Sequence, residues 1–294
     1  MKILVTGGSG QVGGELARYA WPEDVRLVLP NRAELDLSNS DSLAAYVLAN
    51  RFDAVINAGA YTAVDKAESD VLTAWKVNAL APAALAAATS EAGIPLIHVS
   101  TDYVFDGTAV FPYGEDDRVS PLGIYGASKE AGEQAVRTGN SRHLILRTAW
   151  VFSSHGNNFV KTMLRLGKEK SFVRVVDDQH GSPTSAKDIA DVLAKVTLNQ
   201  VADRDTPTGT YHFVNEGRTT WCGFAREIFN LSAAYGGNVP ALEAITTEEY
   251  PTPAKRPKYS CLATDKITRD YGITPRGWRE SLSETLKQLH KSEK

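Results

Sequence analysis

VTGGSGQVGGEL, residues 5–16, is the stretch on which the fold turns. It overlaps KILVT (2–6), an apolar run of strand type, and it leads into QVGGELARYA (11–20), which reads as helix. Gly7, Gly10 and Gly13 stand within it at G-x-x-G-x-x-G spacing. A strand that turns at once into a helix needs small residues there. The turn is tight, the backbone must come close to its ligand, and the helix must pack on the strand. The N-terminus of that helix offers unpaired N–H groups and a partial positive charge, which suit a pyrophosphate. A glycine motif alone is weak, but a strand before it and a helix after it are the context that a dinucleotide site requires.

The same rhythm continues outward. VRLVL (25–29), DAVINA (53–58), PLIHVS (95–100) and HLILRTAWV (143–151) read as strands. SDSLAAYVLAN (40–50), with Ser40 as N-cap, an alanine-rich region reaching to about residue 92, and the segment around Tyr125 read as helices. Strand–helix alternation implies right-handed crossovers, and the expected class is α/β: a Rossmann-type doubly wound parallel sheet. After about residue 152 the rhythm breaks, although SPTSAKDIADVLAKV (182–196) is again helical. The expected organisation is a dinucleotide-binding domain over 1–152, with a returning segment near 182–200. Residues 153–294 then form mainly a smaller, mixed α/β substrate-binding lobe.

A net charge of -3 with scattered basic residues argues against nucleic acid or an anionic membrane as partner. Cys222 and Cys261 belong to no C-x-x-C pair, and the six histidines form no metal pattern, so reduced thiols and no metal site are expected. The apolar run at the N-terminus is too short for a signal-peptide core. NALAPAALAAATSEAG (78–93) contains Pro82 and is expected to be a close-packed helix short of a membrane span. A cytoplasmic protein is the resulting expectation.

Two further places carry chemistry. An NAD site usually has an acidic residue at the end of the second strand, to hold the ribose hydroxyls. LVLPNRAELDL (27–37) has Pro30, Asn31 and Arg32 there. Arg32 either grips a 2′-phosphate or is a solvated surface residue; the balance favours NADPH, with NADH tolerated. Asp36 either bonds the adenine or caps the next turn. In GIYGASKEAGEQA (123–135), Tyr125 and Lys129 are four apart and share one helix face. A free tyrosine has a pKa of about 10, and a nearby ammonium lowers it, so such a pair suits proton transfer to a carbonyl. Ser100, Thr101 and Asp102 follow the fourth strand, where open α/β sheets bind ligands; they are otherwise a strand-ending turn.

Together these motifs resemble the extended short-chain dehydrogenase/reductase superfamily and, more closely, the dTDP-4-dehydrorhamnose reductase family. The likeness runs through GQVG (10–13), AYTAVDKAE (60–68), STDYVFDG (100–107), RTAWVF (147–152), GNNFVKTML (156–164) and PTPAKRPKYS (251–260). The resemblance implies that Tyr125 donates the proton to the sugar's C4 oxygen. It makes Lys129 the residue that lowers the tyrosine's pKa and binds the nicotinamide ribose, and Thr101 the residue that tunes the transfer. It implies that Gly10, Gln11 and Val12 meet the pyrophosphate, that Asp36 and Leu37 lie by the adenine, and that Ala60, Tyr61 and Thr62 line the cofactor groove. Thr101, Asp102, Trp150 and Asn158 would contact the sugar, and Arg256 the diphosphate of the dTDP-sugar. Trp150 is equally well a core aromatic, Asn157 and Asn158 turn formers, and Lys255, Arg256 and Lys258 a solvated loop. The implied reaction is NADPH-dependent reduction of a dTDP-4-keto-6-deoxysugar. Rival readings are an NAD-retaining epimerase or 4,6-dehydratase and a dinucleotide-binding regulatory subunit. A dehydratase looks for a second carboxylate where Tyr103 follows Asp102. Homodimerisation and a bridging metal stay open, including in ESLSETLKQLHKSEK (280–294).

Overall fold

The structure is a computed structural model, and it describes residues 1–292. Glu293 and Lys294, the end of the C-terminal stretch 280–294, lie outside the described residues. The first half alternates β1 (Lys2–Thr6), α1 (Gln11–Arg18), β2 (Arg26–Val28), α2 (Ser40–Asn50), β3 (Ala54–Asn57), α3 (Val64–Ala67), α4 (Val71–Trp75), α5 (Ala81–Glu91), β4 (Leu96–Thr101), α6 (Ile124–Gly139) and β5 (His143–Thr148). The second half contains β6 (Val151–Phe152), α7 (Phe159–Glu169), β7 (Phe172–Val176), β8 (His180–Gly181), β9 (Thr184–Ser185) and α8 (Ala186–Ala202). It continues with β10 (Gly209–His212), β11 (Thr219–Thr220), α9 (Trp221–Ala233), β12 (Ala241–Ile245), α10 (Asp265–Tyr271) and α11 (Trp278–Ser292).

One sheet has the order β10-β5-β4-β3-β1-β2, and every pairing in it is parallel. The order reverses between β1 and β3, which opens a crevice beyond the carboxyl ends of those strands. Helices cover both faces, so the strands turn apolar side chains to both sides, with the polar residues gathered mainly toward their carboxyl ends. In β1, Ile3 and Val5 join the core beneath α1 and α8 while Leu4 joins the core beneath α2, α5 and α6. The second lobe has its own core of Phe152, Met163, Phe224, Phe229, Trp278 and Leu282, built on α7, α9, α11 and the paired β7 and β12.

Four local expectations change. Asn39, not Ser40, caps α2: its side chain accepts from the Ser42 N–H. The fifth strand ends at Thr148 rather than Val151, because Trp150 turns the chain at φ 48°; Val151 and Phe152 then pair with Thr184 and Ser185. The returning helix starts at Ala186, capped by the Ser185 hydroxyl, and the chain goes on to place β10 at the edge of the main sheet. Finally, Val71–Glu91 is one uninterrupted helical run of 21 residues, long and apolar enough by composition to cross a membrane. The alanine-rich segment read alone is too short for a span. In the fold, its Ala81, Leu85, Ala86 and Ala88 are packed into the core under α2 and α6.

Candidate active site

The glycine turn is built by close backbone approach. Gly7 has φ 72°, and a Cβ there would lie 2.6 Å from the Cα of Gly59, just past β3. A Cβ on Gly13 would lie 2.2 Å from the Gly7 carbonyl oxygen. Turn, helix and neighbouring strand end therefore touch backbone to backbone. Gly10 is the N-cap of α1 and supplies no side-chain cap, so the first N–H groups of the helix face the crevice uncapped. The cradle has the chemistry of an anion site and room that any side chain would fill, and the residues present fit a dinucleotide pyrophosphate. Val12 is buried in the core, so only its backbone can meet a ligand.

Around the turn, the Arg32 side chain is 80% exposed and lies 3.7 Å from Asp36. Asp36 accepts from the Ser38 N–H at 2.9 Å, and the Ser38 backbone and hydroxyl, with Arg32, hold its carboxyl below the usual value. Asp36 thus makes the turn-capping contact that was one of its two readings. Leu37 packs over Gly59, where a Cβ would come within 2.4 Å of Leu37 Cδ1. Ala60, Tyr61 and Thr62 form the loop that follows.

Tyr125 and Lys129 share the inner face of α6, against the end of β4. Lys129 is 2% exposed, and its Nζ donates to the Val99 carbonyl at 2.7 Å. Burial pushes its pKa down to about 8, with Glu133 pulling the other way. The Tyr125 phenol is pushed up to about 12 by burial, with Asp102 adding to the rise and the Thr101 hydroxyl opposing it. The expected lowering by Lys129 is not seen: desolvation dominates, and the ammonium is engaged at Val99 with its field falling on His98. Thr101 Oγ1 also donates to Asp102 Oδ1 at 2.9 Å. Asp102 is 2% exposed, and its Oδ2 lacks a well-formed hydrogen bond. Burial pushes this carboxyl up to about 6 against the pull of the Ser260 and Thr101 hydroxyls. The Tyr103 ring meets Tyr125 edge-on, with centroids 5.4 Å apart.

The three remaining candidates take different places. Trp150 stacks face to face on Trp221, centroids 3.6 Å apart, and packs against Gly181, so one face of its ring serves as core. Arg256 is half-buried and forms an ion pair with Asp65 of α3, Nη2 to Oδ2 at 2.8 Å, so it is not a solvated loop residue. Asn158 caps α7 by accepting from the Lys161 N–H, and its amide donates to Gln11 and to the Ser153 carbonyl. This amide is engaged by the protein itself, next to the glycine turn, and its Oδ1 makes the helix cap.

Several residues escaped the sequence reading. Asn78, 1% exposed in a widened helical turn at Lys76–Leu80, accepts from the Tyr61 N–H at 2.8 Å and donates to the Tyr61 carbonyl and the Ser128 hydroxyl. It ties the groove loop to α6; such turns often mark functional places. Glu68 accepts from the Ile124 N–H at 2.8 Å, and so caps α6 where Gly123 has no side chain to do it. Glu133, one turn past Lys129, is fully buried and held by Arg147 at 2.7 Å and Ser100 at 2.6 Å. Its spacing from Tyr125 and Lys129, at i, i+4 and i+8, was the available signal. Thr6, Asn57 and His98 form a buried chain across β1, β3 and β4 at 2.6 and 3.0 Å. Burial, and then the charge of Lys129, hold His98 well below its usual pKa, so it is neutral.

Known proteins are similar to this chain in sequence and fold. The family model described as the RmlD substrate binding domain matches residues 1–291. A dTDP-4-dehydrorhamnose reductase of Aggregatibacter actinomycetemcomitans is 42% identical over 284 residues, covering 96% of this chain and 97% of the relative. The crystal structure of a dTDP-4-dehydrorhamnose reductase from Clostridium acetobutylicum superposes with a TM-score of 0.92 at 40% identity, over 98% of this chain and 99% of that one. That of Bacillus anthracis, solved in complex with NADP, has a TM-score of 0.90 at 35% identity, again over 98% and 99%. Sequence, fold and coverage agree along nearly the whole length, and the chain belongs to the dTDP-4-dehydrorhamnose reductase family of oxidoreductases.

Proposed function

We propose that the chain reduces the C4 keto group of dTDP-4-dehydro-L-rhamnose to give dTDP-L-rhamnose, with NADPH as reductant and NADH as a weaker substitute. The observation that carries this reading is the meeting of α6 with the end of β4: Tyr125, Lys129 and Thr101 stand at the same carboxyl-end side of the parallel sheet as the glycine turn after β1. Family membership supports the substrate class, and the NADP bound by the Bacillus anthracis relative supports the phosphorylated cofactor. The first domain with its returning segment would hold the cofactor, and the second lobe mainly the sugar nucleotide. The reading places the enzyme in the cytoplasm.

Gly7, Gly10, Gly13 and the first turn of α1 would hold the pyrophosphate, and Arg32 the 2′-phosphate. When bound, the cofactor supplies hydride for the keto carbon. The chain's own part is to hold and release a proton. Burial keeps Tyr125 a phenol at neutral pH, so it meets the C4 oxygen as a donor. The Thr101 hydroxyl steadies the phenolate left behind. Lys129 remains mostly an ammonium at pH 7 and adds positive charge beneath the site. Asp102 and Trp150 would meet the sugar, and Arg256 the diphosphate.

The test is loss of reduced-nicotinamide absorbance with NADPH and dTDP-4-dehydro-L-rhamnose generated in place by the upstream dehydratase and epimerase. Stoichiometric consumption only when the epimerase is present supports the reading. Consumption without it would mean a D-sugar reductase. Cofactor binding with no consumption would favour an epimerase or a regulatory subunit.

A further inference from the structure

We infer that Asn158 is a positioning residue for cofactor binding, acting from the second lobe by fixing which end of the Gln11 side-chain amide faces the pyrophosphate cradle. The inference rests on the cofactor reading above. Gln11 opens α1 directly after Gly10. Asn158 Nδ2 donates to Gln11 Oε1 at 3.0 Å, to the Ser153 carbonyl at 2.7 Å and to the His155 carbonyl at 3.4 Å. Those two carbonyls, with the α7 cap at Asn158 Oδ1, leave the Asn158 amide one orientation, with its NH2 toward Gln11. A carboxamide has an accepting end and a donating end, and only the network around it decides which way it turns. Asn158 therefore holds the Gln11 oxygen, and the Gln11 NH2 group makes no hydrogen bond among the described residues. Two donors beside an anion cradle suit phosphate oxygens. Reversed, the amide would present its oxygen to them.

The loop that carries Asn158 is fitted to this task. Gly156 has φ 66°, and a Cβ there would come within 3.3 Å of Gln11 Cγ. Ser153, 2% exposed, donates to Glu15 Oε1 at 2.9 Å. Gln11 and Glu15 are one turn apart on α1, so the loop grips the same face of the helix at two successive turns. The contacts join residues 147 and 138 positions apart. They bind the pyrophosphate helix directly to the substrate lobe.

Asn158→Asp and Asn158→Ser test this, because both keep an N-cap acceptor for α7 and both lose the NH2 group. The Kd for NADPH is measured by fluorescence titration, alongside Tm and separate KM values for NADPH and sugar. Both variants are expected to keep Tm within a few degrees and to weaken NADPH binding roughly tenfold, about 1.4 kcal/mol. The rise in KM should fall on NADPH rather than on the sugar. In a Gln11→Ala background, Asn158→Ser should have no further effect on Kd. An unchanged NADPH Kd in both variants, or a full effect persisting in the Gln11→Ala background, would overturn the inference. Wild-type protein that does not bind NADPH would instead remove the cofactor reading itself.

Discussion

Asp65 of α3 clasps the guanidinium of Arg256 with both carboxylate oxygens, Oδ1 to Nη1 at 3.1 Å and Oδ2 to Nη2 at 2.8 Å. Asp65 also accepts from the Ala254 N–H at 3.2 Å, so one carboxylate orients the whole loop around Arg256. Such a fork suits phosphate oxygens, and lysine offers the charge without the fork. Arg256→Lys should raise the KM for the sugar nucleotide roughly tenfold. Steady-state kinetics with each substrate varied in turn provide the check: an equal rise in the KM for NADPH would contradict a role confined to the diphosphate.

Tyr125→Phe removes only the hydroxyl and leaves the ring against Tyr103. Turnover should fall by about 10²–10⁴, the usual worth of a positioned acid, with NADPH affinity nearly kept. Titration and turnover on one preparation decide it; a variant of near wild-type activity would remove Tyr125 as proton donor.

Asp102 gives a pH-dependent stability. Its folded pKa of about 6 lies above the ordinary value of 3.8, so between these values the folded state binds more protons than the unfolded one. Stability therefore falls as pH rises through that window, and the penalty is complete above it. Asp102→Asn should stabilise the protein at pH 7 by up to roughly 3 kcal/mol. The gain should vanish below about pH 4. Urea unfolding of both proteins at several pH values measures it, and a gain independent of pH would exclude the titration of Asp102 as its source.

Gly13→Ala should destabilise the chain by about 1–3 kcal/mol or more, since the new methyl meets a backbone oxygen that cannot move aside. NADPH binding should weaken with it. Gly14→Ala is the control: its methyl would meet the flexible end of Arg18 and touch the Gly8 carbonyl at an ordinary 3.9 Å, and a helix-interior alanine is favourable. Thermal melts of both variants compare them, and equal Tm values would show that the Gly7–Gly13 contact has slack.

Legible in the sequence were the strand–turn–helix around the glycine motif, the βαβ rhythm through the strand that begins at His143, and the shared helix face of Tyr125 and Lys129. These depend on local sterics and on spacing along one element, which neighbouring residues encode. The tertiary structure alone decided what depends on distant segments meeting. It placed Gly59 against Gly7 and Asp65 on Arg256, and it turned the Asn158 amide toward Gln11. It brought Gly209–His212 back to the main sheet. It also reversed the expected shift of Tyr125, because desolvation depends on everything packed around a group and outweighs one ammonium four residues along the helix.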